Sequence, residues 1–251
     1  MILQATILFI AAFVGGAMNS VAGGGSFFTF PALLFAGLDP KIANATNTVA
    51  LWPGSVASVG AFRQELKTQR EAVKLLSGVS LVGGLVGALL LLVTPSSIFK
   101  ILLPYLMLAA TLLFAFSARI NQYLRREGHH DSSPKSRYRS IVLQGIIAVY
   151  GGFFGGGIGI LMLAALALMG LENIHEMNAI KTFLATVING IAVVTFVIAR
   201  AVVWPHALLM AVAAIVGGYG GAALSRRVSP QYVRTFVMVV GFALSAYLFI
   251  H

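Results

Sequence analysis

The stretch GGGSFFTFPALLFAGLDPKIANATNTVALWPGSVASVGAF (Gly23 to Phe62) has a second copy in the chain, GGGIGILMLAALALMGLENIHEMNAIKTFLATVINGIAVVTF (Gly155 to Phe196). Each copy has three glycines, a short apolar run, a Gly-Leu pair and an Asn-Ala-x-x-Thr box that opens another apolar run. One separation, 134 residues, aligns Asn44, Asn47, Thr48, Phe62, Gly83, Gly84 and Gly87 with Asn178, Lys181, Thr182, Phe196, Gly217, Gly218 and Gly221. This regularity predicts an internal duplication.

The composition predicts an integral membrane protein. Of the 251 residues, 59% are hydrophobic and only 10% are charged, and the mean hydropathy is +0.92, which leaves too little polar surface for a water-soluble domain. The apolar runs are long enough to cross about 30 Å of hydrocarbon and lack the alternation of barrel strands. We therefore predict an all-α, polytopic protein, with the N-terminal segment retained rather than cleaved as a signal peptide.

Charge and cysteine content exclude other classes. The net charge of +10 comes from Lys and Arg between the apolar runs, where they orient a membrane protein and do not form a nucleic-acid surface. The chain has no cysteine, so disulfides and thiolate metal ligands are excluded. No enzyme motif is present, because the chain lacks G-x-S-x-G, a Walker loop and H-E-x-x-H. We expect no enzyme activity and no cofactor.

Ten apolar segments are predicted, five in each half: 2–22, 25–38, 44–62, 73–94, 98–118, 141–154, 157–171, 178–199, 206–224 and 231–250. The domains follow as a first membrane repeat (1–120), a cytoplasmic linker (121–140) and a second membrane repeat (141–251). Segments 25–38 and 157–171 are short for a crossing, and each follows a glycine cluster that we expect to turn the chain.

Charge placement favours an inverted repeat. If each glycine turn returns the chain to the side it came from, each half crosses the membrane an odd number of times. Thirteen of the seventeen Lys and Arg then lie on the side of the linker, and the positive-inside rule makes that side cytoplasmic. Residues 130 and 227 are expected there, and His251 on the opposite side. A parallel repeat, the alternative, would move Arg226, Arg227 and Arg234 outside.

The glycine clusters are candidate substrate-binding elements. Three consecutive glycines weaken a helix by roughly 1 kcal/mol each, and broken backbone at membrane depth is tolerated only where protein buries it or where it lines a cavity. Broken helices at matching positions of two halves point to a transporter site, where half-helix N-termini face an anion. A tight turn without a ligand is the alternative. For Gly83, Gly84, Gly87 and their partners in the second copy, we expect close helix packing instead.

The Asn-Ala-x-x-Thr boxes add polar side chains to the predicted site. Asn44 and Asn178 are alternatively helix N-caps. Lys181 is the lysine that falls inside an apolar run, and a charge there suggests a functional site; snorkelling to the interface is the alternative. The predicted substrate-binding residues are Gly23, Gly24, Gly25, Ser26, Asn44, Asn47, Thr48, Gly155, Gly156, Gly157, Asn178, Lys181 and Thr182. Further possible donors are Asn19, Ser20 and Asn189, which are alternatively helix–helix contacts.

Two other groups of residues have more ordinary interpretations. Asp39, Glu172 and Glu176, with His175, lie in the loops after the short segments, where they are either proton-coupling groups or solvated charges. His129, His130 and Asp131 in the linker resemble a metal tract, but two histidines and one aspartate in a polar loop are more typical of solvated residues. We predict no metal site.

These motifs resemble the sulfite exporter TauE/SafE family, also called the toluene sulfonate uptake permeases. The resemblance rests on the first glycine cluster with Pro31, the box from Asn44 to Thr48, the sequence GGFFGGGIGI (151–160) and the second box with Lys181 and Thr182. It implies a multi-pass transporter of the bacterial inner membrane, with about eight membrane segments, for sulfite, sulfoacetate or other organosulfonates. Our ten segments agree with eight crossings if some glycine-flanked segments are re-entrant.

The sequence thus favours a secondary transporter for small sulfur-containing anions, driven by a proton or substrate gradient. Its expected partners are the anion and membrane lipid, with a second copy in a homodimer left open, and no nucleic acid. A passive anion channel or a membrane subunit of a larger assembly is the alternative.

Overall fold

The computed structural model describes residues 2–21, 24–68, 70–127, 134–169, 171, 173–224 and 230–250. This part of the chain forms eleven helices: α1 (Ile2–Val21), α2 (Ser26–Phe35), α3 (Pro40–Ala61), α4 (Arg63–Thr68), α5 (Arg70–Val93), α6 (Ser96–Glu127), α7 (Pro134–Phe153), α8 (Ile158–Leu168), α9 (Ile174–Ile198), α10 (Trp204–Leu224) and α11 (Pro230–Ile250). Among the described residues, four stretches are long and apolar enough to cross a membrane: Ile2–Asn19, Val73–Val93, Ser96–Phe116 and His175–Ile198. The all-α, multi-pass prediction is confirmed.

Both glycine clusters break the helical backbone. Gly24, Gly155 and Gly157 have φ angles of 94°, 79° and 73°, a left-handed conformation that residues with a side chain rarely adopt. After the first break, α2 folds back along α1, because the Gln4 amide donates to the Ala36 carbonyl at 2.7 Å. With 10 and 11 residues, α2 and α8 are about 15 and 17 Å long. Each therefore reaches only about halfway across the hydrocarbon.

The long helices after each break start earlier than the sequence predicted. Helix α3 begins at Pro40, and the Asp39 carboxylate accepts from the backbone N–H groups of Lys41 and Ile42. Helix α9 begins after Asn173, whose side chain accepts from the N–H of His175. The alternative of Asn44 and Asn178 as N-caps is therefore wrong, since both lie more than one turn inside their helices. The hydropathy pattern placed the starts too late because each first turn is polar.

Helices also extend into the predicted linker. Helix α6 continues to Glu127 and α7 begins at Pro134, so much of 121–140 is helical. Apolar content marks only the membrane part of a helix, whereas polar helix formers can extend it into water. The candidate metal residues His129, His130 and Asp131 lie outside the described residues, as do positions 130, 227 and 251 of the topology prediction. The extra short helix α4 has no counterpart between α9 and α10.

The two halves interlock through glycines. Helix α1 packs against α10, where a Cβ on Gly16 would lie 2.1 Å from the Ala214 carbonyl oxygen. Helix α7 packs against α5, where a Cβ on Gly152 would lie 2.1 Å from the Gly84 carbonyl oxygen. The first helix of each half thus contacts the fourth segment of the other half.

The predicted close packing is found at Gly83, Gly84, Gly87 and Gly217, where an added Cβ would lie 2.0–2.8 Å from the neighbouring helix. Gly218 is looser, with its nearest contact at 3.6 Å, and the surroundings of Gly221 lie outside the described part of the structure. Small residues therefore let these helices approach to backbone contact.

The ends of the helices define two sides of the molecule. At one end, called the Asp39 end, Ser96 Oγ donates to the Asp39 carboxylate at 3.1 Å, and the Val203 N–H donates to Thr46 Oγ1 at 3.1 Å. Tyr247 near the end of α11 contacts Phe35 there, with ring centroids 5.8 Å apart. The opposite end, where α3 stops at Ala61 before Phe62, is called the Phe62 end. Helix α9 starts at the Phe62 end and finishes at the Asp39 end.

Candidate functional site

The two copies enclose a cavity of about 310 Å³. Helices α3 and α9 form two of its walls, and the breaks before α2 and α8, with parts of α1, α6 and α8, complete it. Its lining residues are Asn19, Gly24, Ser26, Asn47, Thr48, Leu51, Ser55, Ser58, Phe62, Phe114, Phe154, Gly155, Gly157, Ile158, Gly159, Ile160, Leu163, Asn178, Lys181, Thr182, Ala185 and Asn189. Polar side chains and apolar rings thus share one chamber.

Helical spacing explains why these side chains converge. In α3 the lining residues recur at intervals of three or four, from Asn47 and Thr48 to Phe62, which places them on one helical face. In α9 the same face carries Asn178, Lys181, Thr182, Ala185 and Asn189. The duplication therefore supplies two similar polar faces.

Lys181 is a cation in this cavity without a carboxylate partner among the described lining residues. Its ammonium donates to Asn178 Oδ1 at 3.1 Å, one turn away on the same helix. Its aliphatic stem passes the first turn of α8, because a Cβ on Gly159 would lie 3.3 Å from Lys181 Cδ. The ammonium therefore shares the cavity with the positive end of the α8 dipole. Two positive groups near one cavity favour an anion there.

Asn47, the counterpart of Lys181, is committed to the protein. It is only 3% exposed, and its amide oxygen accepts from the Thr29 hydroxyl of α2. Its amide nitrogen donates to Ser26 Oγ at 3.3 Å. Asn47 thus fastens α2 to α3 and has little capacity left for a ligand. Thr29 was not predicted, because its contact with Asn47 depends on how α2 folds back.

Most of the predicted residues come together, but not all of them line the main cavity. Asn44 and Gly156 line a second cavity of about 10 Å³, together with Ser26, Asn47 and Phe154. Gly25 packs against α1, where an added Cβ would lie 2.3 Å from the Gly15 carbonyl oxygen. Gly23 lies outside the described residues, and Ser20 has no described side chain. The other nine predicted site residues line the main cavity.

Sequence reasoning missed Ser55, Ser58 and Phe62. All three lie on the face of α3 that begins at Asn47, eight, eleven and fifteen residues further on. Ser55 and Ser58 donate to the carbonyls of Leu51 and Gly54, one turn earlier, so their oxygens can still accept or be redirected towards a ligand. Extending the helical face that begins at Asn47 by intervals of three and four residues would have identified them.

The acidic candidates lie elsewhere. Asp39 caps α3 and binds Ser96 at the Asp39 end. His175 and Glu176 belong to the first turn of α9, and neither lines the cavity among the described residues. Glu172 lies outside the described residues.

Interlocked broken helices around a polar cavity define the architecture of a membrane transporter. The family model of the sulfite exporter TauE/SafE matches residues 8–248, and the chain belongs to that family. The resemblance noted in the sequence is thus confirmed. As a member of this family, the chain is a multi-pass membrane transporter and not an enzyme.

Curated relatives carry the same general description. The chain is 29% identical over 244 residues to a "Probable membrane transporter protein" of Haemophilus influenzae, an alignment that covers 96% of this chain and 92% of the relative. It is 28% identical to "Probable membrane transporter protein ORF9" of Sinorhizobium sp, covering 95% and 89%. It is 27% identical to "Probable membrane transporter protein YfcA" of Escherichia coli K12, covering 96% and 87%. No solved structure matches the chain.

Proposed function

We propose that this protein is a secondary transporter of the bacterial inner membrane that binds an organic anion in the main cavity, most favourably a small organosulfonate such as sulfoacetate. Sulfite is a second, smaller candidate. One observation carries the proposal: Lys181 lines a chamber in which the described lining residues include no carboxylate.

The electrostatics of the cavity support a negatively charged ligand. A cation in a partly dehydrated chamber is costly unless a negative charge accompanies it, and the bond to the neutral Asn178 side chain supplies none. The first turn of α8, with Gly157 and Gly159 lining the cavity, adds the positive end of a helix dipole. A sulfonate would accept from the Lys181 ammonium and offset both positive groups.

The size and lining of the chamber support an organic body. The volume of about 310 Å³ lies at the lower end of the range for small-molecule sites, roughly 300–1,000 Å³. A bare oxyanion would leave most of that space to water. Leu51, Phe62, Phe114 and Leu163 form apolar parts of the wall, against which a short carbon chain or ring would be buried. Sulfonates with an organic part therefore fit the lining better than sulfite.

The directions of the helices support an inverted repeat. Helix α1 starts at the Asp39 end, because Gln4 contacts Ala36 there. Helix α6 also starts at that end, beside Asp39, and α7 then runs back from the opposite side. The first helices of the two halves would thus run in opposite directions. In this arrangement the Phe62 end, with Arg63, Lys67, Arg70 and Lys74, is cytoplasmic.

The decisive experiment is counterflow in proteoliposomes. Vesicles containing the purified protein and unlabelled sulfoacetate should accumulate labelled sulfoacetate transiently and saturably. The variant Lys181→Gln should lose most of this exchange, while Lys181→Arg keeps part of it because the positive charge survives. An uncharged analogue of similar size should not compete with sulfoacetate.

Other results would change the assignment. Rapid downhill flux without counterflow would identify a passive channel. Full exchange by Lys181→Gln would remove this lysine from the binding site, and absence of exchange with sulfite and every sulfonate tested would reject the proposed substrate class.

A further inference from the structure

The main cavity extends further towards the Phe62 end of the molecule than towards the Asp39 end. On α3 it extends to Ser58 and Phe62, at the Phe62 end. The matching residues of α9, Ala192 and Phe196, are 1% and 0% exposed in the protein core. Although the two helices are copies of each other, the cavity follows only α3 to its end. The structure is therefore open towards the Phe62 end and closed towards the Asp39 end.

An aromatic side chain stands between the two cavities. Phe154 lines both the main cavity and the second cavity. Its ring makes an edge-to-face contact with Phe30, at a centroid distance of 6.0 Å and an interplanar angle of 89°, and it lies 6.3 Å from the ring of Tyr150. The second cavity, about 10 Å³, has room for roughly one water molecule. Phe154 thus separates the main chamber from a smaller space beside α2 and α3.

A hydrogen bond holds this region closed. Asn44 is 2% exposed, and its side-chain nitrogen donates to the Phe153 carbonyl at 3.0 Å. Phe153 is the last residue of α7, where carbonyls lack intrahelical partners, so the bond joins α3 to the helix break of the other copy. The matching residue Asn178 instead faces the main cavity. One asparagine of the pair is fastened to the break, and the other faces the chamber.

We propose that Phe154 and Asn44 form the gate between the substrate cavity and the Asp39 end, and that the second cavity is part of the same permeation path. This inference rests on the proposed function, in which the main cavity holds the transported ligand. For the path to open, the Asn44 side chain releases the Phe153 carbonyl and the Phe154 ring leaves Phe30.

The gate follows from a difference between the copies. At the positions that align with Phe153 and Phe154, two and one residues before the glycine cluster, the first copy has Val21 and Ala22. The aromatic plug therefore belongs to the second copy alone. The two ends of the chamber therefore carry different side chains, even though the framework is duplicated.

The absence of native cysteine allows a direct test. Thr48→Cys places one thiol in the main cavity, and a membrane-impermeant maleimide is applied separately to each face of oriented membrane vesicles. In the parent, labelling from the Phe62 end should be the faster. Phe154→Ala should raise labelling from the Asp39 end at least fivefold, and Asn44→Ala at least twofold, while labelling from the Phe62 end changes less than twofold.

A control separates the gate from general loosening of the core. Leu8→Ala removes an equally buried side chain, 1% exposed, that lines neither cavity, and it should leave both labelling rates unchanged. Unchanged labelling from the Asp39 end in Phe154→Ala and Asn44→Ala, or an equal increase in Leu8→Ala, would overturn the gate. Labelling needs no bound sulfonate, so this result is independent of the proposed substrate.

Discussion

The two copies of the broken-helix unit share a framework and differ in their polar contacts. In the first copy, Asn47 joins α3 to α2 through Thr29 and Ser26. In the second copy, Lys181 occupies the matching position, and its hydrogen-bond partner among the described residues is Asn178 of its own helix. In the first copy this position holds the short helix α2 in place, whereas in the second copy it places a cation in the cavity.

The matching positions 47 and 181 therefore have different roles: one holds helices together, and the other faces the cavity. Positions that hold the helices together have stayed alike, as the aligned glycines Gly83 and Gly217 show, because these close helix contacts leave no room for a side chain. Asn47 and Lys181 show that a matching position facing the cavity can diverge, because an asymmetric ligand does not require equal donors from both sides. We therefore expect substitutions of packing glycines in the two halves to lower stability to a similar extent. Substitutions at matching cavity positions should instead have unequal effects on stability and on ligand affinity.

The largest effect is expected at the framework glycines. Gly16→Ala and Gly152→Ala each place a methyl group 2.1 Å from a carbonyl oxygen of the neighbouring helix, so the backbones must separate. We expect each to destabilise the protein by about 3 kcal/mol, the upper part of the range for overpacking. The measurement is the thermal unfolding midpoint in detergent.

Gly78→Ala is the matched control for these variants. A Cβ on Gly78 meets nothing within 4 Å, and alanine favours a helix by up to about 1 kcal/mol over glycine, so its midpoint should hold or rise. A large loss for Gly16→Ala but none for Gly152→Ala would show that the two helix pairs are not equivalent.

The second prediction is that Asn47 and Lys181, which occupy matching positions, affect different properties: Asn47 affects stability and Lys181 affects binding. Asn47→Ala removes the side-chain bonds to Thr29 and Ser26 that join α3 to α2 and should cost about 2 kcal/mol of stability, with sulfonate affinity changed less than threefold. Lys181→Gln should weaken affinity at least tenfold, about 1.4 kcal/mol, and leave the unfolding midpoint unchanged or higher. Calorimetric titration and thermal unfolding of the same preparations provide both values.

The opposite pattern would contradict the division of roles. If Asn47→Ala loses affinity as strongly as Lys181→Gln, the first copy also contributes a ligand contact and the site is more symmetric than the structure indicates. Lys181→Met, which keeps the apolar length of the side chain without its charge, should behave like Lys181→Gln.

The sequence predicted the helix breaks and much of the cavity because both depend on local patterns. Three successive glycines and a polar face repeating every three or four residues are visible in the chain itself. By contrast, the bond between Asn47 and Thr29 depends on the folding of α2 against α3. The gate contact between Asn44 and the Phe153 carbonyl joins opposite halves of the chain, and no local pattern contains it.

The helix boundaries also show that a local sequence pattern predicts only part of the structure. Apolar content located the membrane part of each segment but missed the polar first turns capped by Asp39 and Asn173. The interlocking of α1 with α10 could not be predicted either, since packing glycines identify a contact surface but not its partner.

A smaller effect on stability is expected at the C-terminal ends of α2 and α9, which differ in the residue that adopts the left-handed conformation. After α2, Gly37 adopts φ 85°, and the Leu38 N–H donates to the Leu33 carbonyl at 3.2 Å, a Schellman end. Helix α9 ends in the same way, but the left-handed residue is Arg200, with φ 55°. Arg200→Gly should therefore stabilise the protein by about 1 kcal/mol, seen as a higher unfolding midpoint. Gly37→Arg, the reciprocal change, should lower it, and equal midpoints for both would contradict the argument.

The last prediction concerns the point where the two copies meet. The indole N–H of Trp52 donates to the carbonyl oxygen of Thr186 at 3.0 Å, and these residues occupy the same position in the two copies, 134 residues apart. A two-fold relation between the copies would place its axis through this contact, next to the cavity residues Leu51 and Ala185. Trp52→Phe keeps a ring but removes the donor, so it should cost about 1 kcal/mol.

The other tryptophan of the chain provides the control for this change. Trp204 is 47% exposed at the start of α10, so Trp204→Phe should leave the unfolding midpoint unchanged. Because each variant retains one indole, the remaining fluorescence also shows which environment has changed. If Trp52→Phe unfolds like the parent while Trp204→Phe is destabilised, the contact between α3 and α9 contributes little and the copies are held together by the glycine interfaces alone.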